Sequence, residues 1–177
     1  KFFIDLHENS HNNSLNMKDF LILTMYLFQA LNRDNYLNTS EKQTFLSEIQ
    51  KRFDKIKPAH KWGFTMSKCK IGRDQWSCQN HTYSHQLTRT LYGATFGSSK
   101  DYAMGEKMYK FAIDDLKPDG ALWREAVRGR WSWSYYAHTL GLLLSIAEIY
   151  KHNGVDLYSY KSDKNGLTIH DAVSFLL

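Results

Sequence analysis

Three short segments gather the residues best suited to chemistry. The first is Asn80-His81-Thr82-Tyr83-Ser84-His85, the second Arg124 to Arg130 (REAVRGR), and the third Trp131-Ser132-Trp133-Ser134-Tyr135-Tyr136-Ala137-His138. Each is polar and lies at an expected helix start, where unpaired backbone N–H groups and the positive end of the helix dipole favour anions. An amide, an imidazole and a guanidinium fork can together neutralise a carboxylate. That neutralisation is what removal of a carbon-bound proton next to a carboxylate requires, as at C5 of a uronic acid, because negative charge builds up there. A base must then take the proton and an acid must protonate the leaving oxygen. A tyrosine, with an ordinary pKa of about 10, can do both when nearby cations favour its phenolate. Asn80, His81, Arg128 and Tyr135 supply these roles. Taken singly, His81 reads as a capped or core histidine, Arg128 as a surface arginine and Tyr135 as core; the ordered set carries the reading.

Two rival chemistries use neighbouring residues. His81 and His85 stand four apart, the helical spacing that puts two imidazoles on one face, and His138 could be a third metal ligand. No Glu follows His81 and no clear carboxylate or cysteine ligand lies nearby, so a metal site is not the favoured reading. A glycoside hydrolase would need two carboxylates across a cleft. Glu125 and Asp119 are the carboxylates near the motif segments, and neither has an obvious partner in the sequence.

The elements that must position these residues read as helices. Within 177 residues, two prolines and ten glycines leave long stretches uninterrupted. Helices are expected over 17–31, apolar nearly all round and therefore buried, and over 40–57, capped by Ser40 with Gln43 and ended by Pro58. The second has Phe45, Ile49 and Phe53 on one face. Residues 58–79, with Trp62, Gly63, Gly72, Trp76, Cys69 and Cys78, have no clear period and read as a long loop, a frequent place for function. Further helices are expected over 80–95, 101–116, 131–152 (Leu140, Leu143, Leu144 and Ala147 toward a core) and 168–177. A Lys117-Pro118-Asp119-Gly120 turn and a basic segment, 121–130, lie between the fourth and fifth. The whole chain, 1–177, reads as one all-α domain of antiparallel helix pairs, a bundle or part of an α/α toroid.

Composition limits the partners. The formal charge is +5 and the pI about 9.1, which favours anionic partners. No Lys/Arg block, zinc-finger spacing or RNP-like motif points to nucleic acid. No apolar run is long enough to insert in a membrane. Aromatic residues reach 15%; they serve either a core or a cleft in which sugar rings stack. No signal peptide is visible, but the chain begins at Lys1 rather than Met, so a preceding segment is expected to have been removed.

The Asn80-His81 pair opening a helix, Arg128 downstream, and Tyr135 seven positions beyond it in a basic-to-aromatic segment resemble the polysaccharide lyases of the alginate-lyase, or mannuronate-lyase, type. The Asp119-Gly120 turn and the Asn153-Gly154-Val155-Asp156-Leu157 run also resemble that family, and the likeness covers residues 75–177. It implies an α/α toroid and endolytic or exolytic β-elimination on a uronic-acid-containing anionic polysaccharide, alginate (polymannuronate) or glucuronan-like, without cofactor. Asn80, His81 and Arg128 would neutralise the carboxylate, and Tyr135 or its neighbour Tyr136 would be base and acid. Tyr136, Arg124, Arg130, Trp131, Trp133 and His85 are candidate substrate contacts. The resemblance also implies export, to the periplasm or outside the cell; export favours a Cys69–Cys78 disulfide over two free thiols. The chain departs from the family in having about half the helices of a full toroid, as the C-terminal part of that fold would. It also has no recognisable lid segment, and a different pattern at Tyr136-Ala137. The alternative function is a non-catalytic helical protein that binds acidic polysaccharide.

Overall fold

The structure, a computed structural model, describes residues 14–56, 69–71 and 78–177; these are helical or irregular, with no strand among them. Two compact units divide the chain, Lys1–Pro58 and Ala59–Leu177. The expected ending of a helix at Pro58, and the loop positions Trp62, Gly63, Gly72 and Trp76, lie outside the described residues.

In the first unit, α1 (Ser14–Arg33) and α2 (Thr39–Ile56) pair as a hairpin. The turn between them passes through Asn35 at φ 58°, a left-handed conformation that Asn tolerates better than most residues. Lys18, Leu21, Met25 and Phe28 form the buried face of α1, while Leu23 and Leu27 are exposed. The expected all-round burial of this helix is therefore corrected: Leu23 and Leu27 fall on the opposite side of the 3.6-residue turn. In α2, Ile49 and Phe53 are buried, and Phe45 meets Phe28 with ring centroids 5.9 Å apart. The cap of α2 also differs from expectation. Asn38 Oδ1 accepts from the Glu41 N–H at 3.0 Å, and the Asn38 N–H donates to Glu41 Oε2 at 2.9 Å. The reciprocal box is thus Asn38 with Glu41, not Ser40 with Gln43, because the helix cap lies two residues earlier.

The second unit holds α3 (Asn80–Phe96), α4 (Ser99–Asp114), the single turn α5 (Trp123–Ala126), a 3-10 turn (Gly129–Trp131), α6 (Ser132–His152) and α7 (Ile169–Leu176). Helix α3 packs on both α4 and α6. Almost every residue from Thr82 to Gly93 is buried, including Thr82, Ser84, His85, Gln86, Thr88 and Thr90. A helix this polar can be buried because its hydroxyls donate back to the preceding turn: Thr88 Oγ1 to the Ser84 carbonyl (2.9 Å) and Thr90 Oγ1 to the Gln86 carbonyl (2.7 Å). Its apolar neighbours are Met108, Tyr109, Ala112 and Ile113 of α4 and Leu140, Leu143, Ile146 and Ala147 of α6. Leu144 is only partly buried. Tyr150 joins α6 to α4 through a hydroxyl that donates to the Tyr102 carbonyl at 2.7 Å.

Helix α7 is tied back by a capping box, Thr168 with Asp171, and by the turn ending at Gly120. There the Gly120 N–H donates to the Lys117 carbonyl at 2.8 Å and φ is 87°. A Cβ at this position would run into the carbonyl of Asp171. Gly120→Ala therefore combines left-handed strain with a backbone clash and is expected to cost roughly 2–4 kcal/mol. Urea unfolding of the variant checks this.

Candidate active site

The amino end of α3 is organised by a side chain distant in sequence. Its cap residue, Gln79, makes no side-chain cap bond. Instead the Asn80 backbone N–H donates to Glu125 Oε1 at 2.7 Å, so a carboxylate from α5 sits on the first turn of α3, where the helix dipole favours it. The other oxygen, Glu125 Oε2, accepts from Arg128 Nη1 at 3.2 Å, and the same nitrogen reaches Gln79 Oε1 at 3.3 Å. The Arg128 guanidinium then lies over the ring of Tyr135, 4.1 Å from its centroid, in the first turn of α6. Gly129, at φ 62°, turns the chain sharply between Arg128 and α6, and Ser132 Oγ closes that turn on the Gly129 carbonyl at 2.7 Å.

Asn80, Arg128 and Tyr135 are thus brought together from three elements. Asn80 is buried, and among the described residues no hydrogen-bond partner meets its side-chain Oδ1. His81 follows on the same turn and is half-buried, as are Arg128 and Tyr135. Glu125 is 1% exposed. Burial pushes its carboxyl above the usual range, while the Asn80 N–H and the Arg128 and Arg124 guanidinium groups pull it back. The site can present cationic and amide donors beside a phenol, which suits an anionic substrate and proton transfer.

Three residues expected to contact substrate are buried. Tyr136 is 2% exposed. Its hydroxyl donates to the carbonyls of Ala172 (2.9 Å) and Gly120 (3.2 Å) and accepts from the Leu122 N–H (3.4 Å), its ring stacks on Phe175, and burial pushes its phenol up to about 12. Arg124 is equally buried. Its Nε donates to Asp115 Oδ2 at 2.8 Å, its Nη2 to the Lys70 carbonyl at 2.9 Å, and its guanidinium stacks on Trp123. His85, one turn further along α3, is buried as well. In contrast, Arg130, Trp131 and Trp133 are exposed beside the site, with the Arg130 guanidinium 5.1 Å from the Trp131 ring centroid.

Two further residues belong to the site, Gln79 and Glu125. The Glu125-x-x-Arg128 spacing was a signal for the second, since an i, i+3 pair shares one helical face; the buried N–H that Glu125 also holds comes from 45 positions away. Gln79 carried no signal. Cys69 and Cys78 form a disulfide with Cα atoms 4.9 Å apart, one residue before Gln79. A cavity of about 10 Å³ beside Tyr83, Asp115, Arg124 and Glu125 has room for about one water and none for a sugar. Among the described residues no group of three or more His, Cys, Asp or Glu is placed to hold a metal, and no helix is long and apolar enough to cross a membrane.

The family model for alginate lyase matches residues 1–177. No curated protein matches the chain. Among solved structures, the chain is similar to a Tyr-to-Phe variant of alginate lyase A1-III complexed with tetrasaccharide: TM-score 0.75, 20% identity, covering 95% of this chain and 45% of that one. It is also similar to a His-to-Ala variant of the same lyase complexed with tetrasaccharide: TM-score 0.70, 20% identity, 90% of this chain and 42% of that one. The apo form of the His-to-Ala variant gives a TM-score of 0.62 at 24% identity, over 78% of this chain and 36% of that one. The chain therefore spans less than half the length of these structures. The likeness shows the fold, all-α and of the α/α-toroid class.

The two adjacent tyrosines should separate cleanly in stability. Tyr136→Phe strands the buried Leu122 N–H and two carbonyls, so it should lose about 1–3 kcal/mol. Tyr135→Phe keeps its ring under Arg128 and should stay within about 0.5 kcal/mol of the parent. Denaturant unfolding of both variants gives the comparison.

Proposed function

The chain belongs to the alginate lyase family, and from that membership we propose that it cleaves a uronic-acid-containing polysaccharide by β-elimination. The substrate is alginate rich in mannuronate or a glucuronan-like polymer. Arg128, with Asn80 and His81, neutralises the carboxylate of the sugar whose C5 proton is removed. Tyr135 takes that proton, the C4–C5 double bond forms, the C4–O4 bond breaks, and the departing O4 takes up a proton from the same phenol. Atoms and charge balance without a redox partner or a cofactor.

The observation that carries this reading is the Arg128 guanidinium set 4.1 Å from the ring centroid of Tyr135 in the first turn of α6. It puts a fixed positive charge beside the proposed proton carrier, where negative charge builds on the sugar carboxylate as the C5 proton leaves. Burial of Tyr136, with its hydroxyl held by Gly120 and Ala172, favours Tyr135 as the proton carrier. The similar structures that hold a tetrasaccharide are a Tyr-to-Phe and a His-to-Ala variant, the residue types assigned here to Tyr135 and His81. Exposed Arg130, Trp131 and Trp133 are suited to holding neighbouring sugar residues, by charge and by stacking. We place the protein in an oxidising compartment, periplasmic or extracellular, a reading supported by the Cys69–Cys78 disulfide.

Ultraviolet absorbance recorded with polymannuronate, polyguluronate, glucuronan and hyaluronan tests the reaction. A rise marks the conjugated unsaturated product, and the polymer that gives it identifies the substrate. Tyr135→Phe should lower kcat by roughly 10²–10⁴-fold with polymer binding nearly intact. Full activity in that variant would remove Tyr135 from its role. Binding without any product from the parent chain would replace the lyase reading by that of a polysaccharide-binding protein.

A further inference from the structure

We infer that Glu125 is a positioning residue that holds Arg128 against Tyr135 and locks that pair to the first turn of α3. The inference rests on the lyase reading above. Among the described residues, the Glu125 side chain is bonded both to the first turn of α3 and to Arg128.

The argument is a count of acceptors. Two donors converge on this buried position from different elements, the Asn80 N–H at 2.7 Å on Oε1 and Arg128 Nη1 at 3.2 Å on Oε2. Only an ionised carboxylate offers two acceptor oxygens and no hydrogen. Glutamine has the same shape but one acceptor, and its NH2 would face a donor. Aspartate keeps both acceptors and the charge but falls one methylene short of spanning the gap. Gln79 Oε1 is another acceptor for Arg128, and an uncharged amide does not replace a carboxylate in fixing a guanidinium. Without the carboxylate, Arg128 loses its charged partner, and the helix start loses the partner of its first N–H.

The charged groups around Glu125 are few. Arg124 and Arg128 share its segment; Asp115 lies at the end of α4, engaged by Arg124 and by Trp123 Nε1; Tyr83 of α3 is buried nearby, and burial together with Glu125 and Asp115 raises its phenol. The carboxyl itself is raised by burial. As pH falls through that raised value, Glu125 takes up a proton and loses one acceptor, which has the same effect as a change to glutamine. Turnover therefore falls on the acid side, and a glutamine in this place should abolish that part of the profile.

The test joins crystal structures of Glu125→Gln and Glu125→Asp to kinetics on polymannuronate. In Glu125→Gln the Arg128 guanidinium should leave the Tyr135 ring. Its kcat should fall by roughly 10²-fold, the scale of a small misplacement, with KM changed by less than about threefold, and the acid limb should disappear. Glu125→Asp should recover part of kcat and keep the limb; it also serves if the Gln variant does not fold. An Arg128 still seated on Tyr135 in the variant overturns the inference, as does an unchanged kcat per folded molecule with only a lowered Tm. If the parent chain forms no unsaturated product from any polymer, the lyase reading fails by itself. The position of Arg128 in the variant structures then still decides the role of Glu125.

Discussion

The arrangement depends on a buried carboxylate with both oxygens engaged. An ion pair taken out of water costs more than its attraction returns unless the remaining lone pairs are also served. At Glu125 they are, by the unpaired backbone N–H of a helix start and by Arg128. The same contacts solve two problems. The first turn of α3 needs an acceptor that Gln79 does not supply, and Arg128 needs a fixed direction. Because one carboxylate meets both needs, the helix start cannot shift without moving the guanidinium, nor the guanidinium without exposing a buried charge.

Around this link the neighbouring polar groups are turned inward, and this keeps the site narrow. Arg124 spans Asp115 and the Lys70 carbonyl, so it fastens the disulfide-closed segment of Cys69 and Cys78 to the end of α4. Tyr136 fastens α6 to the Gly120 turn and to α7. Each side chain resembles a ligand-binding group in isolation, but each has its hydrogen-bonding capacity taken up by backbone carbonyls or a buried carboxylate. Toward solvent stand Arg128 and Tyr135, partly covered, and Arg130, Trp131 and Trp133, exposed. A basic and aromatic strip of this kind suits an extended anionic sugar chain better than a compact ligand.

The start of α3 at Asn80 and the long helix carrying Tyr135 were legible in the sequence, as were the all-helical class and the family the chain resembles. These features are local: caps, turns and apolar periods act over a few residues. Other local features were misplaced by small margins, as when the box capping α2 proved to be Asn38 with Glu41.

Which members of each cluster face the site was a tertiary decision. Tyr135 and Tyr136 are identical in type and adjacent, and about 100° of helical rotation puts one under Arg128 and the other in the core, with α7 and the Gly120 turn closing over it. Arg124 and Arg128 lie four positions apart; Asp115, nine positions before Arg124, and Lys70, 54 positions before it, engage the first, while the second turns to Glu125 and Tyr135. Glu125 appeared without a partner because its second partner is a backbone N–H, a donor that every residue but proline carries and no residue type reveals. The sequence alone determined the groups able to neutralise a carboxylate and move a proton. Only the folded chain decided which of them are held within reach of one another, because burial and partnership depend on segments that meet across 45 or more residues.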